Sequence, residues 1–152
     1  MKDTMIKMLA TGFYTGCSGF IPGTTGTIPA WLIAWFLLRG DLVWLGIATV
    51  VMTALSVILA SAAEPILGHD AKKIVVDEWV GMFIALLFVP YSLLNYLIAF
   101  VAFRGFDAIK IYPANIAEKL PRGWGVTADD VIAGVQANLL TQIIVYVIYM
   151  LK

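Results

Sequence analysis

Three polar clusters interrupt an otherwise apolar chain, and each combines carboxylates with cations or hydroxyls. The first reads His69-Asp70-Ala71-Lys72-Lys73 and leads through Ile74-Val75-Val76 into Asp77-Glu78. The second is Phe103-Arg104-Gly105-Phe106-Asp107-Ala108-Ile109-Lys110, and the third is Gly123-Trp124-Gly125-Val126-Thr127-Ala128-Asp129-Asp130. A hydroxyl-rich glycine segment, Pro22-Gly23-Thr24-Thr25-Gly26-Thr27, precedes them. Carboxylates supply hard oxygen ligands of the kind Mg²⁺ takes, and lysine, arginine and backbone N–H groups hold phosphate oxygens. Together these are the parts of metal-assisted phosphoryl transfer, in which a cation neutralises phosphate charge while basic side chains stabilise the transition state.

Each cluster alone also admits a simpler role. Asp77 and Glu78 at a helix start complement the helix dipole, an effect of about 0.3–1 kcal/mol each when exposed. Asp107 lies three residues from both Arg104 and Lys110, within helical reach for ion pairing. Thr127 with Asp130 fits a capping box, which leaves Asp129 unassigned. The Pro22–Thr27 segment reads either as a phosphate-binding turn or as a packing bend. It is not a Walker A loop, because no Gly-Lys-Ser/Thr follows. His69 reads as a solvent-facing loop histidine or as an outer proton carrier. Nucleophilic cysteine chemistry has little support, since Gly23 rather than arginine stands six residues after Cys17, and a single histidine disfavours a histidine relay.

The elements that position these groups belong to a membrane. The 152 residues are 61% hydrophobic and 13% charged, against about 45–50% and about 25% for soluble domains. Ten basic and ten acidic residues cancel, so neither a nucleic-acid-binding surplus nor an acidic disordered tail is present. One cysteine cannot form an internal disulfide. The length suits one domain, residues 1–152, and no removable signal peptide is expected after Lys2 and Asp3.

Two charge-free runs, Leu42–Ala63 and Val131–Leu151, are 22 and 21 residues long and can each cross a bilayer. The run from Trp79 to Phe103 is broken by Pro90-Tyr91-Ser92, which predicts a helical hairpin. A straight helix would hold Asp77 and Asp107 about 45 Å apart, whereas a hairpin returns them to one side. Glycines from Gly12 to Gly26 predict irregular, buried backbone before Pro29 opens a short apolar stretch ending at Leu38. The expected fold is all-α, a polytopic membrane bundle with a hairpin near Pro90 and a glycine-rich N-terminal loop. In that topology Arg39 and Lys152 face one side, while Lys2, Lys7, Lys72, Lys73, Arg104, Lys110, Lys119 and Arg122 face the other. The positive-inside rule makes this second face cytoplasmic, together with every acid except Asp41.

With these blocks in place, the chain resembles the phosphatidylglycerophosphatase A family, Mg²⁺-dependent enzymes of the bacterial inner membrane. Gly12 to Thr27 is similar to that family's G-S-G-L-S-P-x-x-P-G-T-x-G-S segment. His69-Asp70 and Ile74 to Met82 resemble its H-D…I-V-x-D-E-x-x-G-M segment. Phe103 to Lys110 is similar to F-R-x-x-D-x-x-K-P-W-P, and Gly123 to Gly134 to G-x-G-x-x-x-D-D-x-x-A-G. Departures are Gly19 where the family often has proline, and Ile111-Tyr112 where it often has Pro-Trp before the retained Pro113.

The resemblance implies removal of the terminal phosphate of phosphatidylglycerophosphate, giving phosphatidylglycerol, in phospholipid biosynthesis. It implies an acidic, catalytic and Mg²⁺-binding centre drawn from Asp77, Glu78, Asp107, Asp129 and Asp130, with Asp129 and Asp77 as the foremost ligands and Asp130 as ligand, base or cap. Arg104 and Lys110 are then expected to hold the phosphomonoester, and Thr24 and Thr27 to line its pocket. The attacking group is water or an aspartate. An ion or solute transporter is the competing class, as is a phosphatase for another lipid phosphomonoester. A transporter predicts polar groups spread through the membrane depth, whereas interfacial chemistry predicts them gathered at one face.

Overall fold

The computed structural model describes residues 2–19, 21–68 and 71–151, and among them every regular element is helical. Helix α1 spans Lys2–Ala10, α2 Pro22–Ile33, α3 Leu42–Leu67, α4 Val76–Leu86, α5 Leu93–Ile109, α6 Ala114–Ala117 and α7 Gly123–Met150. A 3₁₀ turn covers Thr15–Cys17, and a π-helical turn at Ala34–Leu38 prolongs α2.

Two helices, α3 with 26 residues and α7 with 28, are long and apolar enough to cross a membrane. Only 17% and 28% of their most apolar windows are buried, whereas a core helix of a soluble protein would be covered by its neighbours. Val43, Val50 and Ile58 on α3 and Leu139, Ile143 and Tyr149 on α7 point outward instead, as side chains solvated by lipid do. Asp41 starts α3, its carboxylate accepting from the backbone N–H groups of Val43 and Trp44 at 3.0 and 3.1 Å. The helix continues past the expected end at Ala63, through Glu64 and Pro65, and stops at Gly68, whose φ of +102° suits glycine.

The hairpin forms as the proline predicted. Helix α4 ends at Leu86, the connection carries Pro90, and Ser92 caps α5 by accepting from the Asn95 N–H at 3.2 Å. The 11 residues of α4 amount to about 16 Å, roughly half a bilayer core, so its last carbonyls would lie unsatisfied inside the bundle. The Asn138 amide of α7 resolves this by donating to the carbonyls of Ala85 and Leu87 at 3.1 and 2.6 Å. Gln142 in turn donates to Asn138 at 2.6 Å. Close approach of α4 to α7 depends on two glycines: a Cβ on Gly134 would strike the Gly81 carbonyl, and one on Gly81 would strike the Phe103 ring and the Asp130 carbonyl.

The core between these helices contains Met82, Phe83, Leu86, Tyr96, Phe103 and Ala137. At the end carrying the α4–α5 turn, Trp35 stacks on Tyr91 with ring centroids 4.5 Å apart, and Tyr91 donates its hydroxyl hydrogen to the Trp35 carbonyl at 2.9 Å. The described residues of the polar clusters lie at the opposite end, where α4 begins and α5 ends.

The N-terminal third differs from expectation. Backbone from Gly12 to Gly19 is irregular but only partly buried: Gly12 and Gly16 are buried, while Phe13, Tyr14, Cys17 and Gly19 are exposed. Pro22 to Thr27 is not a turn: it forms the first turns of α2, with Pro22 at a position where its missing N–H costs nothing. Pro29, at the start of the apolar stretch, lies inside that helix. The capping box is also absent, because α7 starts at Gly123 and places Thr127 and Asp130 beyond its first turn. A tertiary contact supplies the missing cap: the Ser61 hydroxyl of α3 accepts from the Gly123 N–H at 3.1 Å. Thr127 instead pairs with Ser56 of α3, hydroxyl to hydroxyl, at 2.7 Å.

Candidate active site

Antiparallel α4 and α5 bring Asp77 and Glu78, in the first turn of one, beside Arg104 and Asp107, in the last turns of the other. Helix α7 adds Asp129 and Asp130, and the start of α2 adds Pro22 and Gly23. All of these line one cavity of about 410 Å³, joined by Lys72 and Lys110. Gly23 leaves room for the site here, since a Cβ would displace the ends of the Arg104 and Glu78 side chains.

Both inner cations are fixed by carboxylates. Arg104 Nη1 lies 2.7 Å from Asp107 Oδ2 and 3.6 Å from Glu78 Oε2. Thr27, fully buried, ties this group together: its hydroxyl donates to Glu78 Oε2 at 2.8 Å and accepts from Arg104 Nη1 at 3.2 Å. Lys110 Nζ lies 2.8 Å from Asp129 Oδ2 and 2.7 Å from Glu118 Oε1. It occupies the left-handed residue that ends α5, with φ of 50°, which turns it back towards α7.

Burial dominates the electrostatics. Asp77, Glu78, Asp129 and Asp130 are each less than a tenth exposed, an environment that disfavours ionised carboxylates. Burial pushes the Glu78 carboxyl up to about 8, against the opposing pull of Arg104 and the Thr27 hydrogen bond. Asp77 is likewise raised, first by burial and then by the neighbouring charges of Glu78 and Asp129. Among the described residues, five acids face three cations around the cavity, and their full ionisation would leave an excess of two negative charges.

These features suit a divalent cation. Asp77 Oδ1 is buried without a hydrogen-bond partner, a state that costs about 1–3 kcal/mol or more unless something satisfies it. Among the described residues no three acid, histidine or cysteine side chains converge as a closed metal cage. Mg²⁺ does not need one, since it retains water and binds one or two carboxylates together with substrate phosphate. The donors are therefore of the right type for Mg²⁺, with Asp77 the most exposed to its demand. Arg104 Nε is also buried and unpartnered, leaving an N–H donor available to an oxyanion.

Of the residues expected from the sequence, Asp77, Glu78, Arg104, Asp107, Lys110, Asp129 and Asp130 line this cavity together. Thr27 sits immediately behind them through Glu78 and Arg104. Thr24 is not among the lining residues; on this part of α2 it is Thr25 that bonds outward, donating to the Thr15 carbonyl at 3.0 Å. His69 and Asp70 lie outside the described residues. Two participants were not anticipated: Glu118, on the far side of Lys110, and Lys72 as a cavity-lining cation. Glu118 follows the short helix α6, and no helical spacing links it to Lys110; only the fold of the α5–α7 connection brings them together.

Comparison with known proteins identifies relatives along most of the chain. A protein of Bacteroides thetaiotaomicron, provisionally named a phosphatidylinositol-3-phosphatase, is 38% identical over 149 residues, covering 93% of this chain and 94% of its own. The phosphatidylglycerophosphatase A of Haemophilus influenzae is 35% identical, covering 93% and 89% of the two chains. That of Escherichia coli K12 is 34% identical, covering 84% and 76%. No solved structure matches. The family model described as Phosphatidylglycerophosphatase A matches residues 8–145, a stretch that includes every charged group of the cavity, and the chain therefore belongs to the phosphatidylglycerophosphatase A family.

Proposed function

We propose that this protein hydrolyses the terminal phosphomonoester of phosphatidylglycerophosphate in a Mg²⁺-dependent reaction, yielding phosphatidylglycerol and inorganic phosphate for phospholipid synthesis. The observation that carries the reading is the cavity itself: two cations held in place by carboxylates, beside buried acids that lack a counter-charge. Its polar groups gather at one end of the bundle rather than through its depth, as a headgroup enzyme requires and a transport path does not.

In this reading Asp77 and Asp129 are the foremost Mg²⁺ ligands, with Glu78, Asp107 and Asp130 completing the acidic surroundings. Bound Mg²⁺ would supply charge neutralisation at the phosphate oxygens and lower the pKa of bound water. Arg104 binds the phosphomonoester through its guanidinium N–H groups, held in orientation by Asp107, Glu78 and Thr27. Lys110, positioned by Asp129 and Glu118, adds a second charge-assisted contact. The start of α2 opens onto the same space, and its first backbone N–H groups favour an anion there. The acyl chains stay in lipid along α3, α5 and α7 while the headgroup enters from the polar end. The molecule crosses the inner membrane several times with this end cytoplasmic, and a reporter fused after Lys152 should therefore read the external side.

The Bacteroides relative supports a second reading, in which the phosphomonoester belongs to a phosphoinositide. Phosphate release by purified protein from phosphatidylglycerophosphate and from phosphatidylinositol 3-phosphate, in matched micelles, separates the two. Higher kcat/KM on phosphatidylglycerophosphate is expected; the reverse order would replace it as the substrate.

A further inference from the structure

Resting on that functional reading, we infer that Lys72 recognises the phosphodiester of the substrate lipid, so that the cavity reads two phosphates rather than one. Both lipids considered above carry a phosphomonoester to be cleaved and a phosphodiester linking the headgroup to diacylglycerol. Among the described residues three cations line the cavity, and they are not equivalent. Arg104 is engaged by Asp107 and Glu78, and Lys110 by Asp129 and Glu118, so both are committed to the buried acidic centre. Lys72 differs on each count. It is exposed, it lies on the turn leading into α4, and among the described residues no carboxylate pairs with it.

Among the described residues, the cavity lining next to Lys72 in sequence is apolar. Ala71, Ile74 and Ala108 contribute apolar surface to the cavity. A headgroup whose monoester lies against Arg104 and Lys110 still has a second anionic group to place before its acyl chains reach the lipid. Lys72 is the lining cation left to receive it. An ammonium on a flexible stem suits this task, since a phosphodiester needs a point charge rather than a bidentate fork. The contact persists after cleavage, because phosphatidylglycerol retains the diester and loses only the monoester. Lys72 thus acts in binding and in selection of diester-containing lipids, and takes no part in the chemical step.

The test compares wild type with Lys72→Ala, Lys72→Arg and Lys73→Ala in Mg²⁺-containing micelles of phosphatidylglycerophosphate. Lys73 is an equally exposed neighbour that does not line the cavity, so its variant measures general attraction to an anionic surface. Lys72→Ala should raise KM roughly tenfold, as for one lost charged contact, with kcat nearly unchanged. Inhibition by added phosphatidylglycerol should weaken by a similar factor, inhibition by inorganic phosphate should not change, and Lys72→Arg should recover most of the loss. An equal effect of Lys73→Ala, a fall in kcat at constant KM, or joint weakening of both inhibitors would overturn the assignment. Failure of the wild type to hydrolyse either diester-containing lipid would instead overturn the functional reading, and this inference with it.

Discussion

Lys110 and Asp129 are joined by a contact of 2.8 Å between Nζ and Oδ2, the cation ending α5 and the acid lying in the early turns of α7. The pair couples the proposed phosphate-binding cation to a proposed metal ligand, yet the two should fail differently. Lys110→Ala should raise KM for the lipid and lower kcat about 10²-fold, through lost stabilisation of phosphate charge, while leaving the Mg²⁺ requirement intact. Asp129→Asn should move the Mg²⁺ concentration needed for half-activity. Steady-state kinetics across a Mg²⁺ titration distinguish the two, and identical Mg²⁺ profiles would contradict the assignment.

Thr27 tests the second half of the site. Its hydroxyl lies between Glu78 and Arg104 at 2.8 and 3.2 Å, so Thr27→Val keeps the volume and removes both hydrogen bonds. The buried Glu78 carboxyl and the partly buried Arg104 guanidinium then each lose a partner, at a cost of about 1–3 kcal/mol. Thermal melting in detergent should show a lower Tm for Thr27→Val, with Thr27→Ser close to wild type.

Stability should also depend on pH in a specific direction. Glu78 is held near 8 by burial, far above its ordinary 4.5, and Asp77 is raised in the same sense. Between those values the folded state binds protons that the unfolded state has released, so stability falls as pH rises from about 4.5 to about 8. With EDTA, Tm should decline across this window. Added Mg²⁺ should flatten the decline by favouring the ionised carboxylates. A Tm that rises with pH in EDTA would contradict the burial argument.

Gly134 separates packing from chemistry. A methyl group there meets the Gly81 carbonyl, so Gly134→Ala should push α7 away from α4 and cost about 1–3 kcal/mol, as overpacking does. Tm should fall, and activity with it, since Asp129 and Asp130 ride on the displaced helix. An unchanged Tm would show that the two helices have room to spare.

The sequence made some of this legible and hid the rest for physical reasons. The two long apolar runs appear as α3 and α7 because their composition is almost unmixed with polar residues, so length and hydropathy alone mark them. Pro90 announced the hairpin, and with it the meeting of Asp77 with Asp107. Helix starts were harder to read. Glycine and threonine around Gly23 signal a turn by local propensity, yet packing of Gly26 against Val75 and of Gly23 against Arg104 draws the segment into a helix. Thr127 carries a capping pattern, but Ser61 of α3 already caps α7 at Gly123. Glu118 could not be read at all, because its distance from Lys110 is set by the path of the α5–α7 connection rather than by any periodic spacing.

The central claim is a Mg²⁺-dependent lipid phosphatase built on this acidic centre. Its most direct test is phosphate release by purified protein from phosphatidylglycerophosphate in mixed micelles, with Mg²⁺ or with EDTA, and with Asp129→Asn as the paired variant. Release that requires both the metal and Asp129 is the predicted result. Release that persists in EDTA, or from a folded Asp129→Asn variant at the wild-type rate, would contradict the account.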